Sequence, residues 1–155
     1  MATLEEFKQD IPLLVEAGLL AIKQGDELSA KAIFDAVEVL DPETTLKKIG
    51  YGVISLQKMD TQQAEKYFKQ VLDIEPENYR AQAFLGLVYI LSVTQGKITD
   101  KNKLMENLKK GTELAQNVVE NCDAESTKNL AQSVLDWEQD LQNKAANTRS
   151  QGGGR

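Results

Sequence analysis

Histidine is absent from all 155 residues, and Cys122 is the single thiol. Those two facts remove most of the chemistry that side chains perform near neutral pH. Without imidazole, the commonest general base and the commonest metal ligand are both missing. One cysteine cannot complete a four-ligand zinc site or a Cys–His nucleophile. Nor can it form an intramolecular disulfide, which suits a reducing compartment. The 24 carboxylates show no distinctive constellation. A "GKIT" stretch at Gly96–Thr99 lacks the upstream glycine and the preceding strand of a phosphate-binding loop. The sequence therefore predicts no catalytic residue, no metal and no cofactor. It is expected not to be an enzyme, and any function must come from binding.

Composition narrows the partner. With 41% apolar and 27% charged residues, the chain reads as an ordinary globular protein. Its net charge of −6 repels phosphate backbones, so nucleic acid is not an expected partner. No run approaches the roughly 18 apolar residues of a membrane span, and no membrane insertion is expected. The opening "MATLEEFKQD" lacks the basic-then-apolar order of a signal peptide. A cytoplasmic location is the expectation.

The elements that must position a binding surface are helical nearly throughout. Apolar residues recur three and four apart, and Gly and Pro fall between segments. A short leading helix precedes "PLLVEAGLLAIKQ", with Pro12 in its first turn. Gly25 breaks the chain, and Asp26 is the natural cap of "ELSAKAIFDAVEVL". Asp60, with Gln63 three residues on, has the form of a capping box. Thr99 or Asp100 should cap a long helix ending near Asn121. Asp123 should cap a last helix, about 123–145, with Leu130, Val134, Trp137 and Leu141 on one face. The tail, 147–155, reads as flexible.

Two stretches, "AKAIFDAVEVLDPE" from Ala30 and "AEKYFKQVLDIEPE" from Ala64, repeat with a spacing of 34 residues. Ala30 and Ala64, Phe34 and Phe68, Val37 and Val71, and Pro42 and Pro76 keep that spacing. Upstream, Ala17-Gly18, Tyr51-Gly52 and Leu85-Gly86 keep it as well. This pattern resembles the tetratricopeptide repeat, a helix hairpin of 34 residues. The resemblance covers about Ile11 to Ala115. It implies an all-α fold of three tandem hairpins, about 11–44, 45–78 and 79–121, stacked in a right-handed superhelix. The C-terminal helix would cap the stack, making a single domain over 1–146. Gly18, Gly52 and Gly86 would let paired helices approach closely, with Phe34 and Phe68 filling the space between units.

In that family the first helices line the concave face. Three apolar rows recur there at the repeat period: Val15, Ile49 and Ala83; Leu19, Val53 and Leu87; Ile22, Leu56 and Ile90. Read as a stripe distinct from the glycines, they predict an apolar peptide-binding groove, since monomers avoid large bare apolar patches. Internal occupants are the leading segment with Leu4, Phe7 and Ile11, or a second copy in a homodimer. The lysine–asparagine clamp that some repeat adaptors use for acidic C-termini is not expected. Its places hold Val15, Leu19, Ile49 and Val53, with only Lys23 of the required charge.

An acidic chain of three such repeats with a leading helix and a capping helix resembles the type III secretion chaperones of bacteria. Both the translocator and the needle-subunit classes fit, and "LMENLKKGTELAQNVVEN...LAQSVLDWEQDLQ" is similar to the end of the translocator class. The resemblance implies a cytoplasmic virulence chaperone that holds an apolar segment of an exported subunit in its groove. In needle-type complexes a small helical co-chaperone joins. A general scaffold or adaptor on the same fold is the alternative. Lys97, Lys101, Lys103, Lys109 and Lys110 against Asp100 and Glu106 give a local +3, and Gly111 to Asp140 carries −6. Both read first as solvated helix faces.

Overall fold

The computed structural model describes residues 2–152. Its helices are α1 (Leu4–Phe7), α2 (Ile11–Lys23), α3 (Glu27–Leu40), α4 (Leu46–Gln57), α5 (Thr61–Ile74), α6 (Tyr79–Thr94), α7 (Lys101–Asn121) and α8 (Glu125–Gln151). A 3₁₀ turn over Lys8–Asp10 joins α1 to α2. No strand occurs among the described residues, and none of the helices is long and apolar enough to cross a membrane.

Helix starts follow the capping chemistry. The Asp26 carboxylate accepts a bond from the Ser29 amide at 3.0 Å, and Asp60 accepts from Gln63 at 3.1 Å. Of Thr99 and Asp100, it is Asp100 that caps α7, accepting from the Asn102 amide at 2.9 Å. Asp123 does not cap α8. That helix starts at Glu125, so Ala124 occupies the cap position and Asp123 stands one residue too early. The helix also continues past 145 to Gln151, through part of the expected flexible tail. Residues 153–155 of that tail lie outside the described residues.

The chain divides into two compact units, one ending at Ala81 and one beginning at Gln82. In the first unit α2 pairs with α3 and α4 with α5, and α4 also packs on both α2 and α3. The signature positions lie at its centre: Ala30, Phe34, Val37, Ala64, Phe68 and Val71 are all buried. Glycine makes room for the rings. A Cβ at Gly18 would stand 2.8 Å from the Phe34 ring and one at Gly50 only 2.4 Å, so the ring is held between α2 and α4. A Cβ at Gly52 would meet Phe68 at 2.7 Å.

The leading segment packs against α3, the second helix of the first hairpin. Phe7 there joins Asp10, Leu14, Ala36, Val39 and Leu40 around a shallow apolar recess.

The second unit is built differently. Its long helices α7 and α8 pack along one another, and α8 buries Thr127, Ala131, Val134 and Glu138. Leu130, Trp137 and Leu141 flank that stripe, half-buried. From Gln142 to Gly152 every residue of α8 and its cap is exposed.

Candidate functional site

The nine residues proposed as a groove separate by depth. Val15, Ile22, Ile49, Leu56, Ala83 and Ile90 are buried, each 9% exposed or less. Leu19, Val53 and Leu87 are only half-buried. Helical geometry explains the division. Val15 and Ile22 stand three residues before and four after Gly18, so they share its stripe rather than forming a second one. Ile49 and Leu56 stand likewise about Gly52, and Ala83 and Ile90 about Gly86. Ile90 reaches α7, where its Cδ1 would lie 2.9 Å from a Cβ at Gly111. The middle row follows each glycine by one residue, a turn of about 100° toward the open side.

In the first unit Leu19 and Val53 rest against the core cluster of Val15, Ile22, Phe34 and Ile54 together with Leu46, also half-buried. In the second unit Leu87 shares its side of α6 with Phe84 and Leu91, both half-buried. Leu46, Phe84 and Leu91 escaped the sequence reading. Their signal was one- or two-turn spacing from the middle row: seven before Val53, three before Leu87 and four after it.

A second apolar surface also escaped it. Leu13 is 71% exposed and Leu20 53%, with the exposed Ala17 between them on α2. Thirty-four residues on, the same three places on α4 hold Lys47, Tyr51 and Ile54, which face α3. Tyr51 donates from its hydroxyl to Asp35 Oδ1 at 2.9 Å, and Ile54 is buried. The sequence signal was that equivalence, since the matching places on α4 are the ones that α3 covers.

Charge gathers away from Val53. Lys47 pairs with Glu38 at 3.0 Å and Asp35 at 3.3 Å, and its ammonium lies 5.6 Å from the Tyr51 ring centre. Tyr51 and Tyr67 meet at 5.9 Å between centroids. The Tyr51 hydrogen bond, aided by Lys47, holds the Asp35 carboxyl below its usual range. Burial, then the bond to Asp35, pushes the Tyr51 phenol up. Tyr51 and Val53 are two residues apart and so point to nearly opposite sides of α4.

Among the described residues no group of three or more Cys, Asp or Glu side chains converges as a metal site would. Gly96–Thr99 follows a helix, not a strand. Cys122 is buried at the end of α7. No family model, curated protein or solved structure matches the chain.

Proposed function

We propose that the chain is a tetratricopeptide-like chaperone of the type III secretion kind, with three hairpins stacked in a right-handed superhelix and α8 as the cap. Its client is an apolar segment of an exported subunit, a translocator or a needle protein. The observation that carries this reading is the middle row, in which Leu19, Val53 and Leu87 stay half-exposed at the repeat spacing. Leu46 widens that row in the first unit, and Phe84 and Leu91 widen it in the second. Fully burying one such side chain contributes roughly 1.5–3 kcal/mol, so a client covering several would offset its ordering cost. The uncovered Leu13–Ala17–Leu20 stripe is where the helical co-chaperone of a needle-type complex would sit. The function needs no nucleotide, because affinity alone holds a client.

The test is capture from the cytosol of the source organism, with bound proteins identified by mass spectrometry. A Val53→Asp/Leu87→Asp variant runs beside the wild type. Both positions are half-buried, so the variant should keep its helical circular dichroism while losing the client. An apolar exported subunit held by the wild type alone supports the reading. Folded cytosolic partners that survive the substitutions point instead to an adaptor working through another surface. A second copy found in the groove points to a homodimer.

A further inference from the structure

Two helical surfaces of the chain are bare, and they complement one another. On α2 the exposed Leu13, Ala17 and Leu20 stand at i, i+4 and i+7, on one side of the helix. Glu16 directly precedes Ala17, and Asp10 stands three residues before Leu13. Both acids are exposed, and neither forms an ion pair among the described residues. Lys23, the one cation of α2, lies at its far end. The matching face of α4 is covered by a helix, α3, so this side of a first helix is shaped to receive another helix.

The other bare surface is the end of α8. From Gln142 to Gly152 every residue is exposed, and the side-chain hydrogen bonds of this stretch stay within the helix. Ala145 and Thr148 continue the line of Leu141, again at i, i+4 and i+7 with alanine at the centre. Lys144 precedes Ala145 by one residue and Arg149 follows Thr148 by one, so a cation flanks the line on either side. No acid lies between Leu141 and Gly152, and neither cation forms an ion pair among the described residues. The stretch runs about 16 Å, enough to cover the roughly 10 Å from Leu13 to Leu20. Stripe against stripe would instead set Asp10 and Glu16 of two copies against their like charges.

We infer that the end of α8 in one copy docks on the Leu13–Ala17–Leu20 stripe of a second copy, with Lys144 and Arg149 against Asp10 and Glu16. Alanine at the centre of both lines lets the two helices approach closely. The contact is head-to-tail: each copy offers one stripe and one helix end, so association can continue past a pair. A contact of two to three helical turns is small for a stable complex, so the association is weak and reversible. It stands apart from the proposed function, although the co-chaperone of that reading would compete for the same stripe and displace the second copy.

Sedimentation equilibrium of the full chain, at concentrations up to about 0.5 mM, tests this. Wild type should associate reversibly, and about tenfold more weakly in about 0.5 M than in about 0.05 M sodium chloride. Leu13→Lys/Leu20→Lys removes the stripe, and Lys144→Gln/Arg149→Gln removes the two cations. All four positions are exposed, so both variants should keep their helical circular dichroism. Each alone should associate about tenfold more weakly than wild type. Mixed in equal amounts they should form a pair that grows no further, because only one intact stripe meets one intact helix end. Val53→Asp/Leu87→Asp should associate as wild type does. A monomeric wild type, or one whose association does not fall with salt, would overturn the inference whatever the variants do. A mixture no more associated than its separate components would also overturn it, by assigning the contact to stripe against stripe. Association that survives both α2 and α8 variants, or that is lost in Val53→Asp/Leu87→Asp, would place the contact on another surface and overturn it too.

Discussion

Gly25 and Met59 occupy the same place in successive hairpins, 34 residues apart, and do the same backbone work. Both have positive φ, +78° and +60°. Both turns close with matching bonds: Gly25 N to the Ile22 carbonyl and Asp26 N to that of Ala21, Met59 N to Leu56 and Asp60 N to Ser55. A side chain in this conformation costs about 1–2 kcal/mol that glycine avoids. Met59 is half-exposed, 52%, so its loss gives back little burial. Met59→Gly should therefore raise stability by about 1 kcal/mol, read as a higher urea midpoint at unchanged slope. Gly25→Ala should lower it by a similar amount, since the strain there is conformational and no neighbour stands within 4 Å. A Met59→Gly protein no more stable than wild type would mean that Met59 contributes packing that outweighs its strain. The sequence could flag Gly25 as a break but not Met59, because methionine carries no turn signal. Gly50 was hidden for a related reason. Its repeat equivalents are Glu16 and Phe84, so periodicity gave no hint that it accommodates Phe34.

Elements were legible where a local rule decided them. Capping aspartates and helix-breaking glycines located α3, α5 and α7 within a residue or so, and only Asp123 misled, by one position. The facing of the first helices was harder to read. Spacing alone offered Val15, Leu19 and Ile22 as one stripe, and only the paired helix decides that two of them turn inward with Gly18. At the α3–α4 contact polar pairing borders the packing of Phe34 and Ile54: Asp35 and Glu38 on one helix, Lys47 and Tyr51 on the other. Its pH response follows from Asp35. The hydrogen bond from Tyr51 lowers the Asp35 pKa in the folded chain, so its contribution is fully present above the unfolded value. That contribution is lost as pH falls through the folded value, which places the loss below about pH 4. Asp26 and Glu27 are lowered too, by the Ser29 cap and by Lys31 respectively, and act in the same direction. Asp35→Asn should flatten the fall of melting temperature between about pH 4 and pH 2 without abolishing it. A wild-type and a variant curve that stay parallel across that range would show the Tyr51 bond to be absent in solution.

At the scale of the whole molecule the charge is divided unequally. Residues 1–81 hold nine Lys plus Arg and fifteen Asp plus Glu, whereas residues 82–155 hold nine of each. The entire −6 thus belongs to the first unit. Counting along the sequence gave a basic segment at 97–110 and an acidic one at 111–140, but both fall in the second unit, where Lys144, Arg149 and Arg155 balance the −3 they leave together. Lys110 and Glu106, 2.6 Å apart, and Lys109 and Glu113, 3.8 Å apart, pair locally on α7. Uncompensated negative charge works against compaction through self-repulsion, and salt screens it over a Debye length of about 10 Å at 0.1 M. The first unit should therefore gain stability as sodium chloride is raised from about 0.02 to 0.3 M, and the second should respond little. Hydrogen exchange resolved by helix separates them: protection in α2–α5 should rise with salt, while that in α7 and α8 stays level. Under the proposed function the same field bears on the client, because a basic flank beside an apolar segment would be drawn to the first unit, with an association rate that falls as salt rises. Equal salt responses in the two units would show that charge within the first is balanced by local pairing, and would remove the electrostatic reason to expect a basic client.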